Sequence, residues 1–455
     1  MHLAIIGGSD AGISAGLAAR EKDPSTDVTL LVADAYPNFS ICGIPYHVSG
    51  DVPNWRNLAH RATTDLEAAG LSLLLNHRVT SIDPYGHTVT AGTTTLGYDK
   101  LIIATGAVPA LPPINGLDHL GASDGVHVLH SMGDTFDLQH SLRQRQAQTA
   151  IIIGAGYIGP EMSEALTARG IKVTLLEQLD QVMPTIDPEL ATHLQQHLTD
   201  RQVSVHTGTK ARTVRADDGR LTVDTDADSY TADIVLVVTG VRPDTTLAAA
   251  AGIDLGIRGA IAVDRQMRTN LPDIYAAGDC VHTWHRLLAQ RVYLPLGSTA
   301  HKQGRVAGTN AAGGTAMFAG TLGTQAVKVF DLVATGTGLR DHAARQAGYQ
   351  PLTVETVADD HKAYYPGATP IRIRITGDRV TGRLLGAQLL GHHGAEIAKR
   401  VDTYATAISY GATIDDLANL DLAYTPPLGS PYDATQTATM AWRTHAAGRP
   451  NDGHA

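Results

Sequence analysis

The sequence predicts an α/β fold that contains two Rossmann-like dinucleotide-binding units. Two segments, at residues 3–20 and 150–169, each combine a short apolar run, a glycine-rich turn and a helix pattern. This order is typical of units whose first helix presents backbone amides to a pyrophosphate. An acid after the strand that follows the second turn supports the same interpretation.

Bulk composition limits the classes of partner. A chain of 455 residues is expected to form two to four domains. Its net charge of −10 disfavours nonspecific binding to nucleic acid or anionic membranes, and no apolar run is long enough to span a membrane. The first residues enter a strand pattern at once, which leaves no room for a signal peptide, and two cysteines offer no disulfide framework. A cytoplasmic protein that binds neither nucleic acid nor membrane is therefore predicted.

The first glycine-rich turn follows the apolar run 3–6 and precedes a predicted helix over 13–20. The residues predicted to contact a dinucleotide cofactor here are Gly7, Gly8, Ser9, Asp10, Ala11 and Gly12. Serine stands where the fingerprint has its middle glycine. The next predicted strand, 28–32, should end in an acid that holds a ribose, but Val32 stands there. Asp34 is the nearest acid, so either Asp34 substitutes or the ribose is held otherwise.

Cys42 is one of only two cysteines and lies shortly after the first unit. An isolated cysteine usually serves as a small, buried apolar filler. Here polar Asn38 and Ser40 flank the thiol, and Gly43 and Pro45 shape a turn or helix start just after it. A helix start favours the thiolate form, so these features favour redox chemistry with one sulfur at Cys42.

Three more segments carry candidate features. The apolar run 98–103 leads into the turn Ala104-Thr105-Gly106, for which a plain junction between a strand and a linker is the alternative. Residues 234–243 are predicted to form another central strand. Asp279 follows a strand and a glycine, where its carboxylate can accept hydrogen bonds from a polyol chain such as ribityl. Cys280 has no CxxC partner and is predicted to be a packed residue.

The second glycine-rich turn carries a full GxGxxG fingerprint, after the apolar run 150–153 and before a predicted helix over 161–169. Glu177 ends the next predicted strand, where a carboxylate can accept hydrogen bonds from a ribose hydroxyl. The same charge would repel a 2′-phosphate, and no Arg or Lys follows within 178–180, so NADH is predicted over NADPH. The residues predicted to contact it are Gly154, Gly156, Tyr157, Ile158, Gly159 and Glu177.

Together these motifs resemble a flavoprotein of the pyridine nucleotide-disulfide oxidoreductase superfamily, in its single-cysteine branch. That branch includes coenzyme A disulfide reductases, NADH oxidases, NADH peroxidases and persulfide reductases. The segments that carry the resemblance run over nearly the whole chain, and they are 7–12, 40–46, 104–106, 154–159, 277–279, 385–388, 399–402 and 422–427.

The resemblance implies two Rossmann-like dinucleotide-binding domains, for FAD and NADH, and a C-terminal α+β dimerisation domain. The implied FAD-binding domain is discontinuous over 1–112 and 243–320, the NAD(P)H-binding domain covers 113–242, and the dimerisation domain covers 321–445. Residues 446–455 are predicted to be a mobile tail. A homodimer is implied because the C-terminal domain of the family completes the active site across the subunit interface.

The same resemblance implies roles for the site residues. FAD would lie with its pyrophosphate on the first turn and its ribityl chain on Asp279, and electrons from NADH would pass through the flavin to Cys42, the catalytic thiol. Further cofactor contacts are implied at Asp34, Ser40, Val79, Ala104, Thr105, Gly106, Gly240 and Ala300. In coenzyme A disulfide reductases two tyrosines, one of them from the partner subunit, assist the leaving thiolate. The resembling positions are Tyr364 or Tyr365 and Tyr424, for which packing at a domain or dimer interface is the alternative.

Two departures from the family pattern bear on the electron acceptor. Peroxidases and oxidases of the branch commonly carry a histidine on the first turn, and Asp10 stands there, which argues against efficient peroxide reduction. Coenzyme A disulfide reductases carry paired basic residues on the first helix, but here Glu21 occupies the position paired with Arg20. A different small disulfide or persulfide therefore stays open. The predicted substrate contacts are Arg20, Asn38, His301 and Arg305.

Three functions are weighed. The first is an NADH-dependent, FAD-containing reductase of a low-molecular-weight disulfide or persulfide, coenzyme A disulfide-like, that acts through Cys42. The second is an NADH oxidase that reduces oxygen while Cys42 cycles through sulfenic acid. The third, from another class, is a flavoprotein redox sensor or interaction protein. Intact cofactor motifs beside the Cys42 and tyrosine segments favour catalysis.

No metal site is predicted, because none of the 21 histidines shows ligand spacing with Cys or acid partners. His301 and Lys302 are predicted to precede a helix.

Overall fold

The computed structural model describes residues 1–448, which divide into two compact units. The first unit comprises Met1–Ala147, Val214–Leu221 and Asp233–Thr321. The second comprises Gln148–Thr213, Thr222–Ala232 and the chain from Leu322 onward. The mixture of helices and strands confirms the predicted α/β fold class.

The strands of the described chain are β1 His2–Ile6, β2 Asp27–Leu31, β3 Leu71–Leu74, β4 Ser81–Asp83, β5 Thr88–Ala91, β6 Thr94–Gly97, β7 Lys100–Ile103, β8 Ala107–Pro109, β9 Val126–His127, β10 Thr149–Ile153, β11 Lys172–Leu176, β12 Ser204–His206, β13 Ala211–Asp217, β14 Arg220–Thr225, β15 Ser229–Ala232, β16 Ile234–Val237, β17 Val241–Pro243, β18 Ile274–Ala276, β19 Thr283–His285, β20 Gln290–Val292, β21 Gln325–Val329, β22 Leu332–Gly338, β23 Pro351–Asp359, β24 Pro370–Asp378 and β25 Leu384–His392. The α-helices are α1 Asp10–Lys22, α2 Ile44–Ser49, α3 Thr63–Ala68, α4 Met132–Gln144, α5 Ile158–Ala168, α6 Pro188–Asp200, α7 Thr246–Ala250, α8 Gly297–Ala311, α9 Asp341–Gln346, α10 Ile397–Ser409, α11 Ile414–Ala418 and α12 Ala434–Ala446.

The first unit is built on a parallel sheet with the strand order β18-β7-β1-β2-β3. Ile6, the last residue of β1, lies opposite Leu31 and Ile103, so three strands end at one edge of the sheet. The strands are almost continuously apolar because both faces of the sheet are buried. Helices α1 and α8 pack against it, and Ile82 of β4 and Val89 of β5 belong to the same hydrophobic core. The first glycine-rich turn therefore emerges at the carboxyl edge, where ligands bind in open α/β sheets.

Helices α1 and α8 pack against each other in this unit through glycines. A Cβ atom built on Gly304 would lie 2.2 Å from the carbonyl oxygen of Ala11, and one built on Gly308 would lie 1.9 Å from that of Ala15. Only glycine allows so close an approach of two backbones. The contact brings the first turn of α8 to the first turn of α1.

The second unit contains a parallel run of β10, β11 and β12 and a separate antiparallel sheet in the order β21-β22-β25-β24-β23. Helices α10 and α12 pack on the antiparallel sheet, and the Trp442 indole donates a hydrogen bond to the Leu352 carbonyl at 2.8 Å. The largely buried Arg374 guanidinium joins this sheet to the segment before α6 through Asp187 at 3.0 Å, and it also pairs with Glu355 on the neighbouring strand β23 at 2.9 Å.

Three sequence-based boundaries are corrected. Residues 234–243 form two strands, β16 and β17, because Gly240 between them adopts φ +104°, which no continuous strand allows. Helix α12 extends to Ala446, one residue into the predicted tail, and residues 449–455 lie outside the described residues. His301 and Lys302 lie inside α8 rather than before it. Within residues 1–448, no helix is both long and apolar enough to cross a membrane.

Candidate active site

The first glycine-rich turn is shaped by backbone contacts that exclude side chains. Gly7 adopts φ +117°, and a Cβ atom built on it would lie 2.1 Å from the Ala104 carbonyl oxygen. A Cβ atom on Gly12 would lie 2.0 Å from the Gly7 carbonyl oxygen. Ser9, the residue before α1, uses no side-chain hydrogen bond to cap the helix. The turn therefore directs the amides of the first helical turn outward, and this cradle fits the pyrophosphate of FAD.

The Asp279 carboxyl is a weaker acid than an ordinary aspartate. Burial, together with the nearby charge of Asp10, raises the pKa of Asp279 to about 6. Its backbone carbonyl accepts a hydrogen bond from the Tyr293 hydroxyl at 3.0 Å. A half-buried carboxyl with raised pKa is an acceptor that a polyol chain could satisfy, which fits the predicted ribityl contact.

The other residues predicted to contact FAD lie in the same unit. Thr105 donates to the carbonyl of Asp244 at 2.6 Å, and Gly106 adopts φ +72° beside it. Asp34 is exposed and accepts a hydrogen bond from the Tyr36 amide at 2.8 Å. Val79 is buried, and Ala300 lies in the first turn of α8. Their contacts with FAD stay predictions.

Cys42 is an exposed residue of a 3₁₀ turn, Ile41–Gly43, that leads directly into α2. Pro45 occupies the first turn of α2, where its missing N–H costs nothing. The Ser40 amide donates to the Leu58 carbonyl at 2.9 Å, which anchors the segment just before the thiol. An exposed thiol at a helix start is the environment of a reactive cysteine.

Asn38 ties the Cys42 segment to the first turn. It adopts φ +64°, is buried, and its amide donates to the Gly8 carbonyl at 2.7 Å. Its side-chain amide donates to the Arg61 carbonyl at 3.1 Å. Asn38 therefore positions the segment, and a direct contact with substrate stays a prediction.

Cys280 has the opposite environment. Its sulfur is fully buried and lies 3.4 Å from the Ala277 carbonyl oxygen and 3.6 Å from that of Ile103. Burial raises the pKa of the Cys280 thiol to about 11. A thiol that is neither ionised nor exposed does not act as a nucleophile, which agrees with the predicted packed role.

The second turn repeats the close contact of the first. A Cβ atom on Gly159 would lie 2.1 Å from the Gly154 carbonyl oxygen, whereas Gly156 has open space around it. Helix α5 begins at Ile158, three residues earlier than predicted, because Tyr157 already has helical dihedral angles. The Tyr157 side chain is partly buried, and burial raises its pKa.

Glu177 is buried at the end of β11. One carboxylate oxygen accepts from the Ala155 amide at 2.7 Å and the other from the Leu179 amide at 2.8 Å. The carboxylate thus stands beside the second turn, as expected of an acid that faces a ribose. The two hydrogen bonds from backbone amides to the Glu177 carboxylate could not be predicted, because sequence spacing does not show which donors reach a carboxylate.

The predicted tyrosines lie on two loops of the second unit. The Tyr364 and Tyr424 phenols lie close enough to interact, and after partial desolvation this interaction contributes to raising the Tyr364 pKa. The Lys362 amide donates to the Pro426 carbonyl at 3.3 Å and joins the two loops. Tyr365 instead lies with its ring 5.7 Å from that of His361. Since Tyr364 and Tyr424 are paired in one chain, both phenols would reach a site together.

Two predicted substrate cations are engaged elsewhere. The Arg20 guanidinium donates to the backbone carbonyls of Pro24 and of Thr26, the latter at 2.9 Å. Arg305 pairs with Glu21 at 3.0 Å on the surface. Their contact with a substrate stays a prediction, and both would first have to leave these partners.

His301 belongs to a cluster that the sequence does not show. Its Nδ1 lies 2.7 Å from Ser14 Oγ and its Nε2 lies 3.4 Å from Asp10 Oδ1. The Nε2 atom of His60 lies 4.0 Å from the same oxygen. Ser14 and His60 were not among the predicted residues, because they are separated from His301 by more than two hundred positions and follow no local pattern.

Two Rossmann-type turns at carboxyl strand edges, together with one exposed cysteine, define a class of dinucleotide-dependent redox proteins. The model of the pyridine nucleotide-disulphide oxidoreductase family matches residues 1–304, and the model of the dimerisation domain of that family matches residues 324–434. The chain therefore belongs to the pyridine nucleotide-disulphide oxidoreductase family. It is an NAD(P)H-dependent oxidoreductase of a family that uses FAD.

Known relatives carry names from two activities. The chain is 33% identical over 432 residues to the NAD(P)H sulfur oxidoreductase (CoA-dependent) of Pyrococcus furiosus, covering 94% of this chain and 96% of that one. It is 29% identical over 445 residues to an NADH oxidase of Methanocaldococcus jannaschii, covering 96% and 98%. A solved structure of an NAD-dependent persulfide reductase from A. fulgidus matches with a TM-score of 0.93 and 37% identity, covering 98% of this chain and 84% of that one.

Proposed function

We propose that this protein is an FAD-dependent reductase that uses NADH to reduce a low-molecular-weight disulfide or persulfide of the coenzyme A type through Cys42. The observation that carries the proposal is the contrast between the two thiols. Cys42 is exposed at a helix start beside the FAD turn, whereas Cys280 is fully buried. A single reactive cysteine cannot form a disulfide within the chain, so it suits an acceptor whose own sulfur can form a mixed disulfide with Cys42.

The reaction balances with one cysteine. The Cys42 thiolate attacks a sulfur of the acceptor RS–SR, a Cys42–SR bond forms, and RS⁻ leaves. Bound FAD supplies the two-electron link between NADH and sulfur. The sum is NADH + H⁺ + RSSR giving NAD⁺ and two RSH, and a persulfide RSSH gives RSH and H₂S instead.

The leaving thiolate needs a proton, and the paired phenols of Tyr364 and Tyr424 are the proposed donors. The Tyr364 side chain is 73% exposed and that of Tyr424 45% exposed, so both remain accessible to a bound acceptor or to a second subunit. The match to the dimerisation domain of the family supports a homodimer. Because Tyr364 and Tyr424 interact within one chain, we propose that one subunit presents both phenols. We retain the division at 1–112 with 243–320, 113–242 and 321–445 as the proposed domain organisation.

NADH is proposed over NADPH because of Glu177. Its buried carboxylate is held at the second turn by two amides, and a 2′-phosphate placed there would meet a fixed negative charge. A cytoplasmic location is proposed as well, because a thiolate mechanism requires a reducing compartment.

An NADH oxidase is the second candidate, and it is supported by the relative from Methanocaldococcus jannaschii that carries this name. In that reaction oxygen takes the electrons and Cys42 passes through a sulfenic acid. A redox sensor, in which NADH changes partner binding, is the candidate of another class.

Steady-state turnover of the FAD-loaded protein distinguishes these candidates. Anaerobic NADH oxidation is measured with coenzyme A disulfide, glutathione disulfide, coenzyme A persulfide or peroxide, and oxygen is tested separately in air. Fast turnover with one sulfur acceptor, lost in Cys42→Ser, supports the reductase. Turnover only in air supports the oxidase. If NADH bleaches the flavin but no acceptor sustains turnover, the sensor replaces both.

A further inference from the structure

Asp10, His60 and His301 converge at the start of α1. Within residues 1–448 they are the one group of three His, Cys or acidic side chains whose ligand atoms all lie within 4.8 Å of one another. Asp10 Oδ1 faces the Nε2 atom of His301 at 3.4 Å and that of His60 at 4.0 Å. The three residues come from α1, from the segment that runs beside Cys42, and from α8.

The central oxygen of this group lacks a hydrogen-bond donor. Asp10 Oδ1 is shielded from solvent and has no hydrogen-bond partner among the described residues, although two imidazole nitrogens face it. A buried carboxylate oxygen without a donor is costly. A cation among the three atoms would satisfy the carboxylate and both nitrogen lone pairs at once.

Ser14 orients one of the imidazoles for such a role. With its Nδ1 atom 2.7 Å from Ser14 Oγ, His301 can donate its N–H there and direct the Nε2 lone pair to Asp10. Histidine ligands of metal ions are regularly fixed in this way, through the nitrogen that does not bind the metal. The side chains are 44% exposed for His301, 46% for His60 and 26% for Asp10, so an ion could enter from solvent.

We propose that Asp10, His60 and His301 form a binding site for a divalent transition-metal ion of the zinc class. Two histidines and one carboxylate on one side of an ion leave coordination positions open for water or a further ligand. The imidazole and carboxylate donors suit zinc or cobalt rather than magnesium or calcium, which prefer oxygen ligands. The prediction of no metal site rested on ligand spacing along the chain. Residues 10, 60 and 301 are too far apart in sequence to show such a spacing.

The site lies next to the redox segment. The His60 amide donates to the Asn38 carbonyl at 3.1 Å, and Asn38 stands four residues before Cys42. If Cys42 reduces a sulfur acceptor, as proposed above, an ion bound here hinders the approach of that acceptor. The metal site therefore inhibits turnover, and this second step rests on the proposed function whereas the binding itself does not.

Binding is tested on the full-length, FAD-loaded protein after chelator treatment. Zn²⁺ is titrated in competition with a chromophoric chelator, and Co²⁺ is titrated while its ligand-field absorption is followed. One ion per chain is expected. Affinity should fall at least about tenfold in Asp10→Asn, His60→Gln and His301→Gln, and also in Ser14→Ala, which keeps all three ligands.

Three controls make the result decisive. His119→Gln removes an exposed imidazole that pairs with Asp118 at 2.8 Å and should bind the ion as the parent does. Cys42→Ser should also retain binding, which excludes capture of the ion by the exposed thiol. FAD content and melting temperature show whether each variant folds. No stoichiometric binding, or equal loss in His119→Gln, overturns the site.

Inhibition is measured separately as the ratio of anaerobic turnover with and without Zn²⁺. A ratio that falls at least about tenfold in the parent and returns toward one in His60→Gln supports the inhibitory role. Stoichiometric binding with an unchanged ratio overturns inhibition and leaves the metal site standing. If no sulfur acceptor sustains turnover at all, the proposed function fails while the binding result stands on its own.

Discussion

The two glycine-rich turns of this chain have nearly the same backbone contacts and different surroundings. The last glycine of each turn packs against the carbonyl oxygen of the first, with built Cβ distances of 2.0 Å at Gly12 and 2.1 Å at Gly159. The middle position differs, since Ser9 stands in the first turn and Gly156 in the second. Gly156 has open space around it, which explains why a serine is tolerated at the matching place.

The acids beside the turns differ more. Glu177 is buried and held by two amides, whereas Asp34 is exposed and accepts a hydrogen bond from its own loop. Close packing of strand and helix therefore fixes the first and last glycine of a fingerprint. The middle position and the acid are not fixed by this packing, and they are the positions where the first and second turns differ.

The largest effect is expected from Gly7→Ala. Because Gly7 has φ +117° and its Cβ would meet the Ala104 carbonyl oxygen, we expect about 3 kcal/mol of lost stability and loss of FAD. Gly156→Ala, with open space, should cost less than about 1 kcal/mol. Urea unfolding and the FAD content after purification measure both. Equal losses in the two variants would refute the view that packing fixes these positions differently.

Glu177→Gln tests the acid of the second turn. We expect KM for NADH to rise about tenfold and the preference over NADPH to shrink, because a charge-assisted acceptor is lost. Asp180→Asn, an exposed acid three residues further on, serves as the control and should leave both KM values unchanged. Steady-state kinetics with both nucleotides give the answer, and an unchanged preference in Glu177→Gln would remove Glu177 as the selecting group.

Asp279 gives the first unit a pH dependence. Its pKa is raised from an ordinary 3.8 to about 6, so at pH 5 the folded chain holds a proton that the unfolded chain has released. Folded stability should therefore fall as the pH rises from 5 to 7, by about 1 kcal/mol more in the parent than in Asp279→Asn. Urea unfolding of FAD-depleted, chelator-treated protein measures the difference. The opposite slope would show that the Asp279 pKa is not raised.

The smallest effect is expected from Asp34→Asn. Because Asp34 is exposed and its carboxylate is occupied by the Tyr36 amide, FAD affinity should change less than about threefold. Fluorescence titration of FAD into the depleted protein gives the affinity. A loss of tenfold or more would identify Asp34 as the ribose acid after all and make the two turns more alike.

Features that depend on local sequence could be predicted, whereas features that depend on tertiary packing could not. Strand, turn and helix follow from local patterns, so both turns, the fold class and the placement of Cys42 at a helix start could be predicted. The break at Gly240 could not, because an apolar run does not reveal a single residue with positive φ. The pairing of Tyr364 with Tyr424 and of Arg305 with Glu21 depends on tertiary packing between distant segments.

The Asp10 cluster is the clearest case of such a limit. In the sequence Asp10 is a departure from a family histidine, and the structure brings two imidazoles to it from residues 60 and 301. Local sequence spacing does not reveal this arrangement. It arises from the packing of α8 on α1 and from the pairing of Phe39 with Ala59, the residue before His60.

The central claim is that Cys42 forms a covalent bond with the acceptor. The most direct measurement is acid quenching of the NADH-reduced enzyme during anaerobic turnover with coenzyme A disulfide, followed by peptide mass spectrometry. The account predicts a coenzyme A mixed disulfide on the peptide that contains Cys42 and none on the peptide with Cys280, together with loss of turnover in Cys42→Ser and not in Cys280→Ser. Full turnover by Cys42→Ser without any adduct would contradict it.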